Sequence, residues 1–124
     1  MKVTEIAFST YPVLDMDRAR AFYEGVLGLT VTMNQDMGAK GHWIEYDIGA
    51  GTLGLGRYEG FKPTADGCTV ALEADDFDKA VAAIKAANTP IKMGPFETPI
   101  CHMMMVSDPE GNTLIIHKRK PGHH

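Results

Sequence analysis

The residues of this chain that could transfer protons or hold a polar ligand are two histidines and one glutamate. His102 and His117 lie in predicted strands, and histidine titrates near neutral pH, so both are candidate acid–base or hydrogen-bonding groups. Glu45 follows Trp43 by two positions, so both side chains share one face of a strand, where a carboxylate beside an aromatic ring could orient a polar ligand. Glu45, His102 and His117 are therefore the candidate catalytic residues.

Each of these residues also has a structural interpretation. His117 could lie at the rim of a cleft, and His102 could be a partly exposed residue. Glu45 faces the same side as Gly54 only if the turn at Gly49 and Ala50 is a simple hairpin, because a bulge there would reverse every side chain of the strand. The residues themselves leave both interpretations open.

Several other kinds of site are not indicated by the sequence. Cys101 and His102 are neighbours on a predicted strand, so they point to opposite faces and cannot bind one ion together. Cys68 and Cys101 lack metal-type spacing, which favours reduced, buried thiols. No Ser/His/Asp set, phosphate-binding loop or zinc-type spacing is present in the sequence.

The elements that position these candidate residues follow the same predicted order in both halves of the chain. The first half predicts a strand at 4–11 that Pro12 ends or confines to an edge, a helix capped by Asp15, and strands at 29–33, 42–48 and 52–56. The second half predicts a strand at 68–74, a helix capped by Asp75 or Asp76, and strands at 91–93, 100–106 and 113–118. Strand, helix and three strands in each half indicate an α+β fold.

The two halves also resemble each other in sequence at a spacing of 61 residues. Residues 15–24 align with 76–85, and residues 53–55 align with 114–116. Internal self-similarity of this kind indicates a repeated structural unit. We therefore predict a single domain of residues 1–124 with an N-terminal module at 3–57, a linker at 58–67 and a C-terminal module at 68–118. The cleft between the modules is the expected place of function.

Composition and charge limit the partners of this protein. The hydrophobic share of 44% and the charged share of 23% are typical of soluble globular proteins. No apolar run approaches the roughly 18 residues that span a bilayer, and no secretory signal is visible, so we predict a cytoplasmic protein without a membrane partner. A net charge of −4 argues against a nucleic-acid partner. The closing Gly122, His123 and His124 are either natural or the remnant of a tag.

Two motifs resemble those of a known family. They are Asp-Met-Asp-Arg-Ala-Arg-Ala-Phe-Tyr at 15–23, followed by Val-Leu-Gly-Leu at 26–29, and Asp-Pro-Glu-Gly-Asn at 108–112 before the last strand. In this order they resemble the vicinal oxygen chelate superfamily, which contains glyoxalase I, bleomycin-resistance proteins and extradiol dioxygenases. The resemblance covers nearly the whole chain. It implies two βαβββ modules forming a curved, eight-stranded, open-barrel-like sheet with helices outside, and usually a homodimer.

The same resemblance implies where a metal would be held. Enzymes of the family bind a divalent metal through four residues, one each from the first and last strands of both modules, and these positions fall at Phe8, Gly54, Thr69 and Ile115. Phenylalanine, glycine and isoleucine side chains offer no lone pair and threonine is a weak ligand, whereas divalent metals prefer imidazole, thiolate or carboxylate. We therefore expect no cofactor, and a metal only through an atypical site that uses Glu45, His102 or His117.

Three functions fit these expectations. We favour a metal-independent protein that binds a small molecule of apolar or mixed polarity, with Gly54 either leaving room for the ligand or serving a bend in the sheet. The alternatives are a metal-dependent lyase or isomerase related to lactoylglutathione lyase, and a non-enzymatic dimeric binding or regulatory module. If the turn at 108–111 keeps a simple register, His102 and Met104 share the face of Ile115 and His117. The predicted ligand-binding residues are Phe8, Trp43, Glu45, Gly54, Thr69, Met104, Ile115 and His117.

Overall fold

The structure, a computed structural model, describes residues 1–122, and His123 and His124 lie outside the described residues. Two helices and eight strands carry the fold. Their bounds are β1 (Ser9–Pro12), α1 (Met16–Arg20), β2 (Val31–Asp36), β3 (His42–Ile48), β4 (Gly51–Arg57), β5 (Val70–Glu73), α2 (Phe77–Ala86), β6 (Ile91–Glu97), β7 (Cys101–Ser107) and β8 (Thr113–Arg119). Helix α1 continues directly into a π-helical segment (Ala21–Val26), and a 3₁₀ turn (Gly38–Lys40) precedes β3.

The eight strands form two four-stranded sheets with the same topology. The first sheet has the order β1-β4-β3-β2 and the second has the order β5-β8-β7-β6. In each sheet the first strand runs parallel to the last, and the other pairs are antiparallel. The parallel pairing repeats at the spacing seen in the sequence, because Thr10 pairs with Gly54 and Ala71 pairs with Ile115. The predicted α+β fold of two βαβββ modules is therefore confirmed.

Within residues 1–122 the eight strands are arranged as two four-stranded sheets, which are not closed into a barrel. The chain forms two compact units, Met1–Pro63 and the part that begins at Thr64. The division between them falls inside the predicted linker at 58–67. No helix of the described chain is long and apolar enough to cross a membrane.

Both helices begin at the aspartates that the sequence predicts as caps. The Asp15 carboxylate accepts a hydrogen bond from the Arg18 backbone N–H at 3.0 Å, and Asp76 accepts one from the Lys79 N–H at 3.1 Å. These contacts satisfy N–H groups that the first helical turn leaves without intrahelical partners. The paired caps are 61 residues apart, so the sequence repeat includes the start of each helix.

In the first module the helix packs on one face of the sheet through buried tyrosines. Tyr23 and Tyr46 are fully buried, and their rings stack with centroids 6.2 Å apart. The Tyr46 hydroxyl donates to Glu24 Oε2 at 2.9 Å, and Arg20 Nε donates to the same oxygen at 2.6 Å. Burial and the hydrogen bond to Glu24 raise the pKa of Tyr46, so this phenol stays neutral. These contacts fix strand β3 against the helix. In each module the helix covers one side of the sheet, and we call the side that faces away from the helix the distal face.

The second module has an apolar core on its helix side. Ile84 of α2 is buried, and so are Met104 and Val106 of β7 and Leu114 and Ile116 of β8. Successive side chains of a strand point to opposite faces, so the residues that follow these buried ones in sequence lie on the distal face.

The main difference from the predicted elements is the first strand, which was expected at 4–11 and is observed at Ser9–Pro12. Alternating residues suit a strand, but a strand extends only where a partner offers hydrogen bonds, and of the predicted segment and Pro12 only residues 9–12 pair with β4. Pro12 is the last residue of an edge strand, as the sequence predicts.

Candidate functional site

The distal face of the first sheet carries Trp43 and Glu45. The β3–β4 connection is a two-residue hairpin in which Ile48 pairs with Gly51, so Glu45 pairs with Gly54 and Trp43 pairs with Gly56. Residues paired across an antiparallel ladder project to the same side of the sheet. Trp43 and Glu45 therefore share the face of Gly54, as a simple hairpin predicts.

The two glycines of β4 lie beneath the indole of Trp43. A Cβ atom built on Gly54 would lie 2.8 Å from both Cη2 and Cζ2 of Trp43, and one on Gly56 would lie 3.3 Å from Cζ3. The tryptophan ring therefore fills the space that side chains at Gly54 and Gly56 would occupy. In this structure the indole of Trp43 occupies the space beside Gly54 that the sequence analysis assigned either to a ligand or to a bend of the sheet.

Three further aromatic rings surround Trp43, and with it form what we call the aromatic cluster: Phe8, Trp43, Tyr58 and Phe61. The Phe8 ring meets the indole edge-on with centroids 5.5 Å apart, and the Tyr58 ring lies 6.5 Å away. A Cβ atom on Gly56 would lie 3.2 Å from Tyr58 and 3.3 Å from Phe61. Phe8 is 52% exposed and Phe61 is 37% exposed. The cluster thus offers accessible aromatic surface on one module.

Polar groups on the same face orient the indole. Trp43 Nε1–H donates to Glu45 Oε2 at 2.7 Å, a hydrogen bond to a carboxylate and therefore one of the stronger kinds. One pleat further along the strands, the Thr52 hydroxyl donates to Asp47 Oδ1 at 3.0 Å. The Glu45 carboxylate therefore holds the indole of Trp43 in place, and it also adds negative charge beside the aromatic rings.

The distal face of the second sheet carries His117 and Ile115 with two methionines. Ile115 pairs with Met105, and His117 pairs with Met103. Met104 is fully buried on the helix side opposite Ile116, and the His102 ring lies 5.5 Å from the Phe77 ring of α2. The shared face predicted for Met104, His102, Ile115 and His117 is therefore wrong.

The reason for this error is the length of the turn between β7 and β8. The predicted register assumes four turn residues, but Ser107 pairs with Thr113 and the Asp108 N–H donates to the Asn112 carbonyl at 2.9 Å. One additional turn residue shifts the register by one, and a shift of one residue moves every side chain to the other face.

The positions that the family would use for a metal do not fit one. Gly54 and Ile115 lie on the distal faces of their own sheets, Phe8 belongs to the aromatic cluster, and Thr69 is an exposed residue directly before β5. None of these four offers a strong metal donor. Within residues 1–122 no group of three His, Cys, Asp or Glu side chains is placed to hold a metal ion. His102 and His117, on opposite faces of one sheet, cannot act as joint ligands.

His117 has a carboxylate partner that the sequence did not indicate. Its Nδ1 lies 2.5 Å from Glu73 Oε1, and Glu73 Oε2 accepts a hydrogen bond from the Arg119 backbone N–H at 2.7 Å. Burial raises the pKa of Glu73, but the Arg119 N–H, the His117 imidazole and the Arg119 charge together outweigh it and hold that pKa below its usual value. A carboxylate at Nδ1 orients the ring and leaves Nε2 as the nitrogen that faces other groups.

Because of this pair, part of the stability of the second module depends on pH and is lost in acid. A lowered folded-state pKa means that ionised Glu73 stabilises the fold above the unfolded pKa of about 4.5, and that this contribution is lost as pH falls through the folded pKa. Because Glu73 is partly exposed, we expect Glu73→Gln to cost at most about 1 kcal/mol at pH 7. Urea unfolding at pH 7 and at pH 3.5 should show that this cost shrinks in acid, whereas the exposed Asp75→Asn should cost little at either pH. A cost that does not shrink would contradict the role of the charge.

The residues that the sequence analysis missed are Tyr58 and Phe61 of the aromatic cluster and Glu73 beside His117. Tyr58 and Phe61 lie in the segment predicted as a linker from its glycine and proline content, and their one signal was two aromatic residues in a turn-rich stretch. Glu73 and His117 form the last pair of the parallel β5–β8 ladder, and pairing between strands so distant in sequence is not visible from the chain alone.

Comparison with known proteins identifies the family. A family model described as the Glyoxalase/Bleomycin resistance protein/Dioxygenase superfamily matches residues 5–116. No curated protein sequence matches the chain significantly.

Solved structures share the fold over nearly their whole length. TnmS3, an antibiotic binding protein from Streptomyces sp. CB03234, is 24% identical with a TM-score of 0.78, covering 97% of this chain and 99% of that one. A glyoxalase/bleomycin resistance protein from the same organism is 26% identical with a TM-score of 0.75, covering 92% and 100%. The trypanothione-dependent glyoxalase I of Leishmania major is 22% identical with a TM-score of 0.76, covering 94% and 87%. The chain has two βαβββ modules, and the family model matches residues 5–116. The chain therefore belongs to the glyoxalase/bleomycin resistance protein/dioxygenase superfamily.

Proposed function

We propose that this protein binds a small, flat aromatic molecule against Trp43 on the distal face of the first sheet, without the metal site that is usual in its family. The observation that carries this proposal is the aromatic cluster, in which an indole supported by Gly54 and Gly56 is bordered by accessible rings. Aromatic rings contribute large contact areas with preferred stacked or edge-to-face geometries, so they favour flat ligands.

The chemistry of the cluster suggests which flat molecules bind best. The rings supply apolar contact, and Glu45 and Asp47 place two carboxylates on the same face. A neutral ligand, or one with a hydrogen-bond donor or a positive charge at its edge, suits this surface better than an anion does. Two of the similar structures are described as an antibiotic binding protein and a glyoxalase/bleomycin resistance protein, which supports an antibiotic-like small molecule as the ligand.

A binding role is favoured over metal-dependent catalysis by the residues at the family's metal positions. Phe8, Gly54, Thr69 and Ile115 do not supply a donor set, and Glu45 is engaged by the Trp43 N–H. A lyase or isomerase remains the second candidate, and the observation that favours it is the Glu73–His117 pair. In such an enzyme His117 Nε2 would exchange a proton with the bound molecule while Glu73, at Nδ1, holds the ring in its orientation. The homodimer implied by the family resemblance also stays a prediction.

The proposal is tested through the fluorescence of Trp43, the single tryptophan of the chain. Protein stripped of metal with EDTA is titrated with naphthalene, 2-naphthol, quinoline and a set of fused-ring antibiotics. We expect at least one compound to change Trp43 emission and to bind with the same affinity before and after EDTA treatment. By calorimetry, Trp43→Leu should weaken that binding by about tenfold or more, because losing a stacked ring contact worth ~1.4 kcal/mol changes an affinity tenfold.

Matched variants make the result specific. Trp43→Phe keeps a flat ring and should lose less affinity than Trp43→Leu, and Phe77→Leu on helix α2 should leave binding unchanged because its ring lies on the helix side of the other module. Binding that appears only when Ni²⁺, Zn²⁺ or Mn²⁺ is added back would reject the metal-independent proposal and favour the lyase or isomerase. Equal affinities in the wild type and Trp43→Leu would move the site away from the aromatic cluster.

A further inference from the structure

One polar atom of the first module is buried without a hydrogen-bond partner. The hydroxyl oxygen of Thr10 in β1 is enclosed, and no donor or acceptor within the described residues 1–122 reaches it. Leaving a buried hydroxyl unpaired costs free energy, and native structures usually pair such groups. A water molecule or a polar group of a ligand is the partner that such a hydroxyl takes.

The surroundings of this hydroxyl place it beneath the aromatic cluster. Thr10 pairs with Gly54 across the parallel β1–β4 ladder. A Cβ atom built on Gly54 would lie 3.1 Å from Thr10 Oγ1 and 2.8 Å from the Trp43 ring. The hydroxyl, the bare backbone of Gly54 and the far end of the indole thus meet at one point on the distal face.

The indole covers this point as a side chain that can move. The atoms of Trp43 nearest to Gly54 are Cη2 and Cζ2, at the tip of the ring, so a change in the side-chain torsions of Trp43 uncovers Gly54 without moving the backbone. The Trp43 N–H is held by Glu45 of the same strand, and Trp43 itself is only partly buried. Both features fit a ring that lies on the site rather than inside the core.

The internal repeat shows that the fold does not require this arrangement. At the same register in the second module, Ala71 pairs with Ile115, where the first module pairs Thr10 with Gly54. Alanine carries no hydroxyl and isoleucine fills the space that Gly54 leaves. Because the two modules share one topology, the fold itself does not explain why only the first module has a hydroxyl and a glycine at these positions.

We propose that Thr10, Gly54 and Gly56 form a polar subsite, covered by Trp43 in the ligand-free protein, that receives the hydroxyl group of a phenolic ring. The displaced indole then packs on the face of the bound ring. The Thr10 hydroxyl can both donate and accept, so it pairs with a phenol in either direction. This inference rests on the proposed function, since it names the chemical class of the aromatic ligand and the atom that selects it.

The test compares two flat probes that differ by one hydroxyl group, 2-naphthol and naphthalene. Affinities are measured by following the backbone amide signals of Gly54 and Gly56 in NMR titrations. The wild type should bind 2-naphthol more tightly than naphthalene, and Thr10→Val, which replaces the hydroxyl by a methyl group, should weaken 2-naphthol binding about five- to tenfold while changing naphthalene binding less than about twofold. Thr10→Ser should restore the preference for 2-naphthol.

Two controls separate the subsite from a structural role. Thr52→Val removes a hydroxyl that already has a partner in Asp47 and should leave the ratio of the two affinities unchanged. Thr10→Val should also raise the melting temperature of the ligand-free protein, because it removes an unpaired buried hydroxyl, and its amide spectrum confirms that the variant is folded.

The outcomes distinguish this inference from the proposed function. If 2-naphthol binds the wild type and Thr10→Val with equal affinity, the polar subsite is rejected while aromatic binding stands. If neither probe perturbs the wild type at concentrations up to its solubility limit, the subsite is rejected, and if quinoline and the fused-ring antibiotics also fail to bind, the proposed aromatic site is rejected with it. A selective loss in Thr10→Val that Thr10→Ser restores supports both.

Discussion

Replacing Gly54 with alanine is expected to weaken binding of an aromatic ligand by about tenfold or more while leaving the fold intact. The new methyl group would lie 2.8 Å from Cη2 and Cζ2 of Trp43 and 3.1 Å from Thr10 Oγ1, distances too short for carbon contacts. The tip of the indole can shift to relieve the clash, so the cost in stability is small. The ring then loses its support on β4, and the subsite beside Thr10 is filled.

The measurement combines Trp43 emission with calorimetric titration of 2-naphthol. We expect the emission maximum of Gly54→Ala to move to longer wavelength in the ligand-free protein, because the indole leaves its packed position for water. Tenfold corresponds to ~1.4 kcal/mol of lost binding free energy. Gly51→Ala is the matched control, because it lies in the same strand and its new methyl group would meet only the Ile48 carbonyl at 3.5 Å, an ordinary contact.

The outcome decides whether the glycine serves the site. Unchanged emission and affinity in Gly54→Ala would mean that Trp43 does not depend on Gly54, and the account of the aromatic cluster would be wrong. A loss of folded protein in Gly54→Ala, with Gly51→Ala stable, would assign Gly54 to the bend of the sheet.

Asp108→Ala is expected to lower the free energy of unfolding of the second module by about 2–4 kcal/mol. The carboxylate is 2% exposed and holds the β7–β8 turn together, because Oδ1 accepts from the backbone N–H groups of Glu110 at 2.8 Å and Asn112 at 2.9 Å. Oδ2 accepts from Asn112 Nδ2 at 3.0 Å. Alanine would remove the acceptor of all three hydrogen bonds, two of which are buried, and losing one partner of a buried hydrogen bond costs more than the bond itself contributes.

The turn is also tied to the segment that precedes β5. The Asn112 side-chain oxygen accepts from the Thr64 N–H at 3.4 Å, and the Thr113 hydroxyl donates to the Ala65 carbonyl at 3.0 Å. Loss of Asp108 should therefore loosen both the turn and that segment.

Urea unfolding monitored by circular dichroism, with amide exchange at Asn112 and Thr113, measures the effect. The exposed Asp75→Ala is the matched control and should change stability by less than about 0.5 kcal/mol. If Asp108→Ala costs no more than Asp75→Ala, the turn does not depend on the carboxylate network.

Local signals in the sequence were enough to predict most of the fold. Asp15 and Asp76 cap the two helices because a short acceptor side chain can reach the N–H groups of the first turn, which involves only residues three positions apart. The spacing of 61 residues between the halves reappears as identical parallel pairing in both sheets. The sequence left the turn at Gly49 and Ala50 open between a simple hairpin and a bulge, and the structure has the simple hairpin, which places Trp43 and Glu45 on the face of Gly54.

The candidate site was predicted less completely, for reasons of register and distance. The turn after β7 contains one residue more than assumed, because Asn112 closes it through hydrogen bonds with Asp108, and this single residue moved Met104 and His102 to the helix side. Tyr58 and Phe61 approach Trp43 from a segment with linker composition. Nothing in the local sequence indicates that Glu73 meets His117, since 44 residues separate them.

The sequence by itself determined the element order, the duplication, the helix starts and the lack of metal donors at the four family positions. These depend on residue type and on contacts within a few positions along the chain. The tertiary structure decided which side chains share a face, that an indole fills the space above Gly54, and that the Thr10 hydroxyl lies beneath it without a partner among residues 1–122. These depend on strand register and on pairing between distant segments, where a displacement of one residue reverses the direction of every side chain.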